Sequence, residues 1–85
     1  METTQKTRVA VISIIVEDPA CVEEINAILH DAAGIIIGRM GIPYREKNIS
    51  IISVVVDADL NEINQISGKL GRLSGATVKT AYSKQ

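Results

Sequence analysis

Cys21 and His30 are the only cysteine and the only histidine in the chain, and few side chains are better suited to metal binding or nucleophilic work. They stand nine residues apart in a segment with helical spacing. At about 3.6 residues per turn that is two and a half turns, so they face opposite sides and share no metal within one chain. A cysteine in a first helical turn has the setting of an activated thiol. A small, partly buried side chain is the plainer reading. His30 falls near a helix C-terminus, where positive charge is tolerated, and reads as a surface residue. The acids Glu17, Asp18, Asp57 and Asp59 sit at strand-to-helix turns, where helix capping accounts for them. No nucleophile–base pair, phosphate-binding glycine motif or metal-ligand cluster is present. The expectation is a non-enzymatic protein with no catalytic residues, no metal site and no cofactor.

One segment does gather groups suited to binding. Gly38-Arg39-Met40-Gly41-Ile42-Pro43-Tyr44-Arg45-Glu46-Lys47 holds two glycines, a proline, a tyrosine and three of the nine basic residues. Loops carry function more often than cores do. Arg39, Tyr44 and Arg45 are therefore the candidate ligand- or partner-binding residues, suited to an anion or a partner protein. An ordinary solvated hairpin is the alternative.

The elements that would position these residues are easily traced. Val9–Val16 and Ile49–Asp57 are β-branched and apolar on both faces, as strands covered on both sides are. Asp18 suits an N-cap and Pro19 a first helical position. Val22, Ile25, Ile28, Leu29 and Ala32 recur at helical spacing, which predicts a helix over 19–33 that Gly34 stops. Ile35–Met40 is a third strand, and Gly41–Asn48 reads as the connection after it. Asp57 or Asp59 caps a second helix with Leu60, Ile63, Ile66, Leu70 and Leu73 as its stripe, ended by Gly75. Ala76–Ser83 is the last strand. Residues 1–8 are polar and read as a disordered N-terminal segment, leaving 9–84 as a single domain.

The two halves echo each other. Ile12-Ser13-Ile14-Ile15-Val16 matches Ile52-Ser53-Val54-Val55-Val56, and Glu24-Ile25-Asn26 matches Glu62-Ile63-Asn64. Coincidence between similarly patterned segments is the alternative explanation. Either way the order is βαββαβ, which is the α+β, ferredoxin-like arrangement: a four-stranded antiparallel sheet with two helices on one face. The first and third strands belong at the centre and the others at the edges. The helices cover one face only, so the second apolar face calls for cover of its own. Ser13 and Ser53 fall on that face, with Val11, Ile15, Ile51 and Val55.

Composition narrows the rest. At 85 residues, 46% hydrophobic and 2% aromatic, the chain makes one small core from 14 Ile, 8 Val, 4 Leu and 8 Ala. Such a core leaves little stability margin, and a homo-oligomer, dimer or tetramer, would supply more. A net charge of −1 argues against direct nucleic acid binding. No apolar run approaches the ~20 residues of a membrane span, and no signal peptide is evident, so the expected location is cytoplasmic.

Three segments carry a family resemblance. Val9–Asp18, the run Gly-Ile-Ile-Ile-Gly-Arg-Met-Gly-Ile-Pro-Tyr over 34–44, and Gly68–Lys84 resemble the iron-only hydrogenase system regulator family, small ACT-like proteins. The resemblance covers almost everything after residue 8 and is most specific over 36–44. It implies a regulatory module of the hydrogenase system that senses a small-molecule effector or contacts a partner protein. A structural or assembly factor in hydrogenase maturation, with no effector, is the alternative it leaves open. The last helix and strand also resemble the C-terminal domain of nickel-responsive repressors. Val78–Tyr82 holds no His or Cys, however, so that family's nickel site is not implied. The eight leading residues are too few for its DNA-binding domain. The turn Glu17-Asp18-Pro19-Ala20 likewise lacks the glycine typical of amino-acid-binding ACT domains.

Overall fold

A computed structural model describes residues 6–84. The chain runs β1 (Arg8–Val16), α1 (Val22–Asp31), β2 (Ile36–Tyr44), β3 (Ile49–Ala58), α2 (Leu60–Gly71) and β4 (Ala76–Tyr82). The sheet order is β2-β3-β1-β4 and every pairing is antiparallel. This is the expected ferredoxin-like, ACT-like fold, with the two most apolar strands at the centre. Of the segment expected to be disordered, residues 1–5 lie outside the described residues, and Arg8 already belongs to β1.

Strand alternation divides the apolar side chains between two faces. Ala10, Ile12, Ile14 and Val16 of β1 and Ile52, Val54, Val56 and Ala58 of β3 are buried. They pack with Cys21, Ile25 and Leu29 on one helix side and Ile63 and Leu70 on the other. Full burial of a Val, Leu or Ile stabilises by about 1.5–3 kcal/mol, so this face is the source of most folding energy. No buried polar or charged residue interrupts it.

The alternate residues form the opposite face, and no element among the described residues covers it. Cross-strand rows there read Met40–Ser53–Ser13–Lys79 and Ile42–Ile51–Ile15–Thr77. Ile15, Met40, Ile42 and Tyr44 are each at least 40% exposed. Ser13 pairs directly with Ser53, as their matching places in the two strands suggested.

Several boundaries differ from the sequence reading. Strand β2 runs on through Gly41-Ile42-Pro43 to Tyr44. An edge strand tolerates a residue that cannot donate to a ladder, so Pro43 does not end it. The turn that follows is only a 3₁₀ turn, Arg45–Lys47, closed by Asn48 at φ 56. Pro19–Cys21 is a 3₁₀ turn rather than the start of α1, and α1 ends at Asp31, before Gly34. Leu60 is 45% exposed and does not join the α2 stripe. Of the two candidate caps, Asp59 is the one used: its Oδ1 accepts from the Glu62 amide at 2.9 Å.

The helices are pinned at opposite edges of the sheet. Ser67 and Thr80 hydroxyls meet at 2.6 Å, and Tyr82 donates to Asn64 Oδ1 at 2.6 Å, tying α2 to β4. An Arg39–Asn26 hydrogen bond ties α1 to β2. Gly75 holds the turn between α2 and β4. Its φ of 91° lies where side chains are strained, and an added Cβ would stand 2.5 Å from the Asp18 Cβ. That close approach lets the Gly75 carbonyl accept from both Glu17 and Asp18 amides, at 2.7 and 3.0 Å.

Candidate functional site

The candidate residues all depend on β2. Eight of its nine residues are exposed and the first is half-buried, so this edge strand presents nearly everything it carries. Its alternation sends Arg39 to the helix-covered face, beside Val54 in register. Tyr44 is five residues on, an odd spacing, and therefore lies on the open face. The structure thus separates two residues that the sequence grouped.

Arg39 reaches α1. Its Nη2 donates to Asn26 Oδ1 at 3.2 Å. His30 stands one turn beyond Asn26 on the same helix side and is exposed. The space between α1 and β2 is an open groove lined by Asn26, Leu29, His30, Ala33, Ile36 and Arg39. Asn26 and His30 were not singled out as partners of Arg39. Their i, i+4 spacing was visible, but the packing of α1 over β2 was not.

Tyr44 and Arg45 do come together. They line a cleft of about 140 Å³ at the end of β2, together with Asn48 of the same turn and with Pro19 and Val22. A third depression, about 310 Å³, lies between the helices, where Asp31, Glu62 and Lys69 surround Ile28, Ile35 and Ile66. Its mixed charges favour no one sign of ligand.

The remaining reactive types have structural work. Cys21 is buried, and its thiol donates to the Asp18 carbonyl at 3.1 Å. It is out of reach of the exposed His30 groove. Asp18 Oδ1 accepts from the Ala20 amide at 3.0 Å, and Glu17 accepts from the Thr77 hydroxyl at 2.8 Å. Among the described residues no group of three His, Cys, Asp or Glu could hold a metal ion. No helix among them is long and apolar enough to cross a membrane.

The fold and the uncovered sheet face define a ferredoxin-like, ACT-like module. Residues 8–80 match the TM1266-like family, described as "Iron-only hydrogenase system regulator, putative", and the chain belongs to that family. Among solved structures it is similar to the uncharacterized protein TM1266 from Thermotoga maritima. The two are 36% identical, with a TM-score of 0.88, over 93% of this chain and all of that one. No curated protein matches the chain.

Proposed function

We propose that residues 9–84 act in the cytoplasm as a non-enzymatic, homo-oligomeric regulatory module of the iron-only hydrogenase system. Copies pair through the open sheet face. The exposed strand β2 and the turn after it, with Arg39, Tyr44 and Arg45, meet a small effector or a partner protein. The observation that carries this reading is the uncovered face, apolar across β2, β3 and β1.

A second copy is the occupant that fits this face best. Its side chains are uncharged apart from Lys79 at the β4 margin and Asp57 near the end of β3. Four strands about 4.8 Å apart, over the seven paired residues of β1 and β4, give roughly 450 Å² in projection per copy. Two copies approach the ~1,000 Å² at which a specific interface begins, before side-chain relief is counted. The exposed edge of β2 adds to that. The family supplies the regulatory context.

Light scattering coupled to size-exclusion chromatography tests the assembly. The expected mass is a multiple of the 9.2 kDa chain. A monomer at micromolar concentration would sink the proposal. Thermal shift then separates a sensor from an assembly factor, because a ligand of the folded state raises Tm by mass action.

A further inference from the structure

We propose that the groove between α1 and β2 is a binding site for a small oxyanion, a carboxylate or a phosphate, carried on a compact apolar group. This deepens the regulatory reading above by naming the ligand chemistry, and it rests on that reading only for what the binding means.

Every polar side chain that lines the groove can donate a hydrogen bond, and Arg39 does nothing else. Arginine has five N–H donors and no acceptor. One donor is used on Asn26 Oδ1. That contact also fixes the Asn26 amide, because only its oxygen can face a guanidinium, so its NH₂ is turned away with two donors free. His30, one turn along, adds a ring N–H. The wall thus offers donors from three side chains, and its acceptors are limited to the second lone pair of Asn26 Oδ1 and one ring nitrogen of His30. A planar guanidinium fork is suited to carboxylate and phosphate oxygens in particular.

Charge supports the same assignment. The chain carries ten acidic residues, yet none of them lines this groove. Among the described residues, no carboxylate pairs with Arg39 or His30. The inter-helix depression differs, because there two carboxylates would oppose an anion. The floor of the groove is Leu29, Ala33 and Ile36. It accepts a short aliphatic group beside the charged end, as small-ligand sites commonly do.

The test is a titration of the full chain followed by amide ¹H–¹⁵N spectra. The probes are isovalerate and inorganic phosphate, with isovaleramide and chloride at matched ionic strength as controls. The expected result is saturable movement of amides along 26–39 with at least one anion, and none with either control. Isovalerate alone would assign the carboxylate class, and phosphate alone the phosphate class. Arg39→Gln should weaken binding at least about tenfold, the size of a lost charge-assisted hydrogen bond. Asn26→Asp keeps the size of the side chain and should abolish binding, and it covers the case in which Arg39→Gln fails to fold. Saturation by neither anion would overturn the proposal, as would equal binding of isovaleramide or undiminished binding in a folded variant. Light scattering on the same samples separates the two readings. An oligomer blind to both anions loses only the groove, and a monomer that binds one loses only the assembly.

Discussion

Replacing Ser53 with glutamate puts a charge at the middle of the open face without removing core. Ser53 is half-buried on β3, and its row neighbours there are Met40 and Ser13, both uncharged. In an isolated chain the new carboxylate extends into water. The change is then limited by strand preference, which spans about 1 kcal/mol. Between paired copies the same carboxylate is removed from water with no charged residue directly beside it, and the effective penalty is several kcal/mol per ion. A two-fold interface contains the substitution twice. Taking about 3 kcal/mol per copy gives roughly 6 kcal/mol, or about four powers of ten in the dissociation constant. Light scattering over a wide concentration range measures the shift, and denaturant unfolding checks that the chain still folds. A folded Ser53→Glu chain that assembles as the parent does would refute the placement of the interface. A variant that disassembles only because it is unfolded would also fail to support it, and the denaturation curve distinguishes the two.

Two further substitutions test the frame. Gly75→Ala forces a Cβ into a backbone at φ 91° and against Asp18, so it should lower stability by about 2–4 kcal/mol, read from the urea midpoint. An unchanged midpoint would show that the Gly75–Asp18 approach is not as close as described. Asp59→Ala removes the side-chain cap of α2 and should lower stability by about 1 kcal/mol, or a Tm drop of roughly 4–8 °C. The corresponding Asp57→Ala, on an exposed strand position, should change Tm by far less.

Much of this architecture is written in the alternation of β1 and β3. Ile52, Val54 and Val56 separate from Ile51, Ser53 and Val55 by a period of two, and the structure buries the first set and leaves the second partly open. Helix stripes at Ile25 and Leu29, and at Ile63 and Leu70, are equally plain. The limits of β2 were hidden because Gly41 and Pro43 are turn formers by local preference, and only an edge position makes them acceptable in a strand. That misplacement made Arg39 and Tyr44 look like neighbours on one hairpin surface. Once the strand continues to Tyr44, their odd spacing sends them to opposite faces. The register shift between Ile36 and Gly38 leaves Ile37 62% exposed, and no residue type announced it. The meeting of Arg39 with Asn26 spans 13 residues and depends on how α1 lies across the sheet. Local pattern carries no information on that distance.

The open sheet face is where copies of this chain are proposed to meet. Isotope-filtered NOE spectra on a mixture of methyl-labelled and unlabelled chains test it directly. The expected result is contacts between copies from the methyl groups of Ile15, Met40, Ile42 and Ile51. Contacts confined to helix residues, or none at all in a sample shown to be folded, would contradict it.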